Sequence, residues 1–417
     1  MLRINQQRFL QNLADLAQIG RTPDAEGGGL DRRPFSTAER AARAFFTQQA
    51  QAAGLDVTTD TAANLSAQFP ADNPNAKTLL LGSHLDTVPN GGPYDGALGV
   101  IAALEVLRAV KENNLSLPVH LEAIAFTDEE GRFGDFFGSL ALTGKHTSKM
   151  IDTFLAHANE FPDDLSAMRN LIPGGLTPDA ILAARRDPNS LAGYLELHIE
   201  QGPQLEQAGV PIGVVDAIFG RRTLQITFEG RADHAGTTPL NLRTDALLAA
   251  SHVIIQADKI VRREFPQAVI TCGNVQVKPG VYNVVPNQAI IWVEFRAAQE
   301  DVLEKINQSL HELIDRLTTP PLSVFIQPVD HLKPVAMHPN IQAAIRQAGE
   351  ELGYATLSLS SGAAHDAQAL AAITPTGMIF VPSKGGRSHC SEEDTDEADL
   401  VAGANVLLQT VLKLIET

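Results

Sequence analysis

Histidine and acidic side chains recur in this chain where apolar runs end: His84 with Asp86, Asp95, the run Asp128-Glu129-Glu130, His198 and His389. Neutral imidazoles and carboxylates together suit Zn²⁺, Mn²⁺, Co²⁺ or Ni²⁺. The only cysteines are Cys272 and Cys390, so a thiolate-bound structural zinc finger is excluded. Two divalent ions about 3.5–4 Å apart would need one shared carboxylate and further ligands for each. Taken singly, each candidate has an ordinary explanation. A loop histidine is commonly hydrogen-bonded, and an acidic triplet is commonly a solvated turn. Their weight is joint, because in α/β sheets ligands gather outside the carboxyl ends of strands.

The elements that would position them follow from hydrophobic spacing. Residues 3–18 and 36–53 carry apolar side chains at helical spacing, and Ser36 with Glu39 has the form of a capping box. Gly27, Gly28 and Gly29 between them predict a loop. Buried strands are expected at Leu79 to Ser83, in "VHLEAIAF" before the acidic run, and at Tyr194 to Ile199, with an alanine-rich helix from Gly96 to Lys111. Strands alternating with helices imply an α/β domain with a largely parallel sheet. From about Ile212 the pattern changes to a strand, a helix over 243–265, strands at 269–277 and 288–296, a helix at 301–317 and the strand "LSVFIQPV". That β-α-β-β-α-β order is ferredoxin-like. A strand at Met378 to Val381 resumes the first pattern. The expected fold is α/β: a discontinuous catalytic domain over 1–212 and 330–417, with a ferredoxin-like domain inserted over 213–329.

The 417 residues are 44% hydrophobic and 19% charged, as in ordinary globular chains, with a formal net charge of −17. That balance disfavours nucleic-acid and anionic-membrane partners, which need a basic face. Two cysteines make no disulfide framework. "MLRINQQRFL" lacks the apolar run of a signal peptide, and no stretch reads as a membrane span of about 20 apolar residues. A cytoplasmic protein is expected.

Six segments carry a resemblance: "GSHLDTVPNGGPYDGALGV", "FTDEEGRFG", "ELHIEQGP", "GRADHAGTTP", "GVYNVVPN" and "VPSKGGRSHCSEEDT". In this order they resemble the signatures of the hydantoinase/carbamoylase amidase family, from about residue 20 to the C-terminus. That family contains N-carbamoyl-L-amino acid hydrolases, β-ureidopropionases and allantoate amidohydrolases. It belongs to the co-catalytic zinc metallopeptidase superfamily of aminoacylases and dipeptidases.

The resemblance implies roles for individual residues. His84 and His198 would ligate one metal ion, Glu130 and His389 a second, and Asp95 would bridge them. Asp86 would orient the His84 imidazole. Glu129 would be the general base, moving a proton from water to the leaving nitrogen. Arg296 would clamp the substrate carboxylate, for which a planar guanidinium is suited. Gln201 and Asn283 would read the ureido group, and Gly362 would make a backbone contact. His234 would reach the partner subunit's site in a homodimer and steady the oxyanion. His365 and Asp366 read as supporting residues. The implied activity is metal-dependent hydrolysis of a ureido C–N bond in a small carboxylate substrate, releasing ammonia. β-Ureidopropionase and allantoate amidohydrolase are close alternatives, and a dipeptidase or aminoacylase is a more distant one. Arg132 directly follows Gly131, where the family has a small residue between the two, so the pocket beside Glu129 is expected to differ. Cys390 is expected to be small and buried rather than nucleophilic.

Overall fold

The computed structural model describes residues 1–23, 27–172, 175–318 and 320–416. Its first part runs through α1 (Gln6–Leu16), α2 (Thr37–Ala52), β1 (Asp56–Thr59), β2 (Leu65–Phe69), β3 (Thr78–His84), α3 (Ala97–Glu112) and β4 (His120–Phe126). Four helices follow: α4 (Phe137–Thr143), α5 (Ser148–Asn159), α6 (Pro162–Leu171) and α7 (Pro178–Ala183). Then come β5 (Leu191–Ile199), α8 (Gln204–Ala208) and β6 (Ile212–Ile218). The next stretch holds β7 (Gly220–Glu229), α9 (Ala246–Glu264), β8 (Val269–Lys278), β9 (Gln288–Ala297), α10 (Glu300–Leu317), β10 (Ser323–Leu332) and β11 (Val335–Ala336). The chain ends with α11 (Pro339–Leu352), β12 (Thr356–Ser361), α12 (Asp366–Leu370), β13 (Thr376–Val381) and α13 (Glu397–Glu416). Contacts divide it into Met1–Asp216 with Met337–Thr417, and Ala217–Ala336.

The first unit is built on a mixed sheet of order β1-β2-β4-β3-β5-β13-β6-β11, with β12 also on β6. Its centre, β4-β3-β5-β13, is parallel, and the flanking pairs β1·β2, β2·β4 and β13·β6 are antiparallel. The central strands are buried along almost their whole length, as strands covered on both faces must be, which is why they read as unbroken apolar runs. α3 is buried from Ala97 to Val110. The fully buried Glu105 within it is held by Arg8 of α1 at 2.7 Å. Among the described residues one helix, α13, is long and apolar enough to cross a bilayer, contrary to the sequence reading, but most of it is buried against the core.

Some local expectations shift. Ser36 Oγ accepts the Glu39 N–H at 3.2 Å, but the Glu39 carboxylate reaches back to the Phe35 N–H and pairs with Arg43 instead of closing a reciprocal box. Helices α4 to α7 surround a separate aromatic core that includes Phe35, Phe133, Phe137 and Phe154. Arg132 lies over the rings of Phe133 and Phe161, 4.9 and 4.4 Å from their centroids, and pairs with Asp164 at 2.9 Å.

In the second unit β7, β8, β9 and β10 form an antiparallel sheet of order β10-β7-β9-β8. Along β9 buried and half-buried residues alternate strictly. The buried set, including Ile291, Val293 and Phe295, packs on α9 and α10. The opposite set, with Trp292, Glu294 and Arg296, faces the other way.

Candidate metal centre

Parallel pairing aligns the strand ends. His84 closes β3 opposite Phe126 of β4, and His198 of β5 lies opposite Phe380 of β13. His84, His198, the acidic loop after β4 and the loop after β13 therefore gather at one edge of the sheet.

Asp95 lies at the middle of this edge. Its Oδ1 is 3.4 Å from His84 Nε2 and 3.3 Å from His198 Nε2, and its Oδ2 is 3.4 Å from His389 Nε2. Glu130 Oε2 is 3.6 Å from His389 Nε2, and Glu129 Oε2 is 3.5 Å from His84 Nε2. The ligand atoms of His84, Asp95 and His198 lie within 4.8 Å of one another, as do those of Asp95, Glu130 and His389, so Asp95 belongs to both triplets.

This donor set fits divalent ions on three counts. His84 Nδ1 is 3.0 Å from the Asp86 carbonyl and His198 Nδ1 is 2.9 Å from the Ile199 carbonyl. A carbonyl only accepts, so Nδ1 donates in each ring and Nε2 carries a lone pair, which in His84 faces Asp95 and in His198 lies beside both Asp95 and the Gly96 N–H that it accepts at 3.1 Å. Glu130 Oε1 is buried without a protein partner. The electrostatics call for positive charge. Burial pushes the Glu129 carboxyl well above the usual range and, with Asp95 nearby, raises Glu130 to about 7. Burial opposes ionisation of Asp95, yet His198, His389 and His84 together hold it well below that range. Contact with Asp95 raises His389 to about 9.

Asp86 departs from its expected place. Its carbonyl, not its carboxylate, meets the His84 ring, and the carboxylate Oδ1 stands 3.8 Å from Nδ1. Oδ2 accepts the Glu130 N–H at 3.1 Å. The short two-residue step folds the backbone under the ring, leaving the side chain to hold the acidic loop. Gln201 Nε2 donates to Asp95 Oδ2 at 2.7 Å, and its buried Oε1 has no protein partner. Gly362 follows β12, with open space where a side chain would project. Cys390 is half-buried rather than buried. Asp128, Gln201 and His389 all have left-handed backbone, with φ of 53°, 56° and 57°. Non-glycine residues held there cost energy and concentrate at functional sites.

Further side chains support the centre, of which Glu196 is not among the sequence candidates. Asp128 accepts the N–H groups of Arg132, Phe133 and Gly134 at 2.8, 3.0 and 3.1 Å, closing the turn behind Glu129 and Glu130. Glu196, fully buried, accepts from Ser83 Oγ at 2.7 Å and from the Ala367 N–H at 3.0 Å, tying β5 to β3 and α12. A carboxylate two residues before a strand histidine shares its face, and that was the available signal. His365 stands edge-on to His198 with centroids 4.5 Å apart, and burial keeps its ring well below the usual histidine range. Asp366 beside it is fully buried, which drives its carboxyl well upward.

His234, Asn283 and Arg296 belong to the second unit. The loops bearing His234 and Asn283 are joined by Ala235 N–H to the Asn283 carbonyl at 3.0 Å and Val285 N–H to the Asp233 carbonyl at 2.8 Å. Exposed His234 accepts the Gly236 and Thr237 N–H groups on Nδ1, at 3.0 and 3.2 Å, which places its ring proton on Nε2. Arg296 Nε donates to Glu294.

Comparison with known proteins agrees with this geometry. Residues 80–413 match peptidase family M20/M25/M40. The chain is 37% identical to an N-carbamoyl-L-amino acid amidohydrolase of Geobacillus stearothermophilus, covering 99% of each chain. It is 32% identical to an allantoate amidohydrolase of Bacillus subtilis (strain 168), covering 96% of this chain and 95% of the relative. The crystal structure of an amidase of the hydantoinase/carbamoylase family from Burkholderia multivorans superposes with a TM-score of 0.87 at 33% identity, over 99% of this chain and 98% of that one. With its strand-end carboxylates and imidazoles, the chain belongs to peptidase family M20/M25/M40, on the hydantoinase/carbamoylase amidase branch.

Proposed function

We propose that the protein hydrolyses the ureido C–N bond of an N-carbamoyl-L-amino acid, yielding the amino acid, carbon dioxide and ammonia. The observation that carries this reading is Asp95, which turns Oδ1 to two imidazoles and Oδ2 to a third. His84 and His198 on one side, and Glu130 and His389 on the other, would share it in holding two ions of Zn²⁺, Mn²⁺, Co²⁺ or Ni²⁺. Such ions supply an acidified water and stabilise negative charge developing on the carbonyl oxygen.

The chain's own residues do the rest. Glu129 takes a proton from the attacking water and delivers it to the leaving nitrogen. The unpartnered Gln201 Oε1 suits a ureido N–H. Arg296 takes the substrate carboxylate, Asn283 reads the ureido group, and the Gly362 backbone adds a contact made close by its missing side chain. The second unit acts as a ferredoxin-like lid, and the enzyme is a cytoplasmic homodimer. The exposed edge strand β8, with Val269 and Val275, and the exposed Leu248 and Ile255 on α9 support that assembly. His234 donates its Nε2 proton to the oxyanion in the partner's site.

Allantoate is the second substrate to consider, because a B. subtilis relative of 32% identity bears that name. The test is ammonia release by protein stripped and reloaded with each metal, offered N-carbamoyl-L-amino acids, allantoate, β-ureidopropionate and a dipeptide. Metal-dependent ammonia from a ureido substrate is expected. Cleavage of the dipeptide alone would turn the reading to a peptidase.

A further inference from the structure

The bridging position of Asp95 needs its backbone, as well as its carboxylate, held in place. Glu393 meets that need. It is 4% exposed, and its Oε1 accepts the N–H groups of both Tyr94 and Asp95, at 2.9 and 3.1 Å. Its Oε2 accepts from Ser388 Oγ at 2.9 Å, and the same hydroxyl stands 2.8 Å from Asp95 Oδ2. Ser388 precedes His389, and Glu393 follows it by one turn of loop, with the Glu393 N–H on the Cys390 carbonyl at 3.2 Å. One carboxylate thus joins the backbone that presents Asp95 to the loop that presents His389. Space for it is made at Gly92, where any side chain would overlap the Glu393 carboxyl. Gly92 has no left-handed φ to require glycine, so the reason for glycine there is this close approach.

We propose that Glu393 is a positioning residue for the metal centre, setting the distance between Asp95 and His389 through hydrogen bonds rather than through its charge. The proposal rests on the two-metal reading of the site. Its test is Co²⁺ binding by the full chain in equilibrium dialysis, counted per chain, together with the visible spectrum of the Co²⁺-loaded protein. Glu393→Gln keeps an oxygen for both backbone N–H groups and a nitrogen for Ser388, so its binding and spectrum should stay close to wild type. Glu393→Ala removes all three contacts and should weaken Co²⁺ by about 10- to 100-fold, the range seen when groups behind metal ligands are lost, with an altered spectrum. Gly92→Ala, which displaces the carboxylate without deleting it, should act like Glu393→Ala and is read in its place if that variant does not fold. A merely structural Glu393 would change the thermal midpoint of the metal-free chain and leave Co²⁺ affinity and spectrum alone, which would overturn the proposal. A fall in Glu393→Gln equal to that in Glu393→Ala would also overturn it, by making charge the agent. Wild-type protein that binds no Co²⁺ would defeat the two-metal reading itself, whereas equal binding by wild type and Glu393→Ala would defeat only the role of Glu393.

Discussion

Glu294 accepts a hydrogen bond from Arg296 Nε at 2.8 Å, two residues along the same face of β9. The guanidinium assigned to the substrate carboxylate therefore already has an acidic neighbour. Their side chains are 35% and 31% exposed, and such pairs are worth at most about 1 kcal/mol. Removing the competing charge with Glu294→Gln should lower KM for a carboxylate substrate by roughly two- to fivefold and leave kcat nearly unchanged. Steady-state kinetics decides it, and a higher KM would make Glu294 an orienting group instead.

Glu129→Gln should bind metal as wild type does and lose about 10²- to 10⁴-fold in kcat, the usual worth of a positioned proton carrier. Metal analysis alongside ammonia release separates these effects. Retained turnover removes Glu129 from its role.

If His234 serves the neighbouring subunit, two inactive proteins can rescue each other. Mixing His234→Ala with Glu129→Gln should restore about a quarter of wild-type activity, since half of randomly paired dimers carry one intact site of two. No recovery after subunit exchange would mean that each site is built from a single chain.

His146 offers a pH test away from the metal ligands. Its Nε2 lies 2.8 Å from the Phe137 carbonyl, while Nδ1 is buried without a partner. Burial lowers its pKa, against the smaller opposing pull of the Phe137 carbonyl. The folded chain therefore binds this proton less readily than the unfolded chain, in which histidine titrates near about 6.5. The stability it contributes is present above that pH and is lost as pH falls below it. His146→Gln can keep the hydrogen bond and cannot titrate. The drop in thermal midpoint between pH 7.5 and 5.5, chosen to bracket about 6.5, should be smaller in this variant than in wild type.

How much of this was legible in the sequence depended on the range of the interaction. Buried parallel strands announce themselves as apolar runs, and a histidine or acid at the end of such a run stands out, so His84, Asp86, Asp95, the run Asp128-Glu129-Glu130, His198 and His389 are legible as candidates, while the choice of His84, Asp95, Glu130, His198 and His389 as ligands comes from the family resemblance. The carbonyl of Asp86 under the His84 ring was not visible, because residue types do not reveal which end of a residue faces a neighbour. Glu393 was hidden for another reason: it acts on backbone N–H groups 298 and 299 positions away, and backbone partners leave no mark in side-chain spacing. Helices α4 to α7 were passed over because their apolar residues serve a local aromatic core that interrupts the strand–helix alternation.

The long reach from Asp95 to Ser388, His389 and Glu393 also bears on how the protein is made. At about 5–20 residues per second, roughly 15 to 60 s separate the emergence of Asp95 from that of its last partners. During that interval the β3 and β4 ends present His84 and their acids without His389 and Glu393. Asp95 therefore meets Ser388, His389 and Glu393 only after the loop that follows β13 has emerged, long after the strand ends beside it.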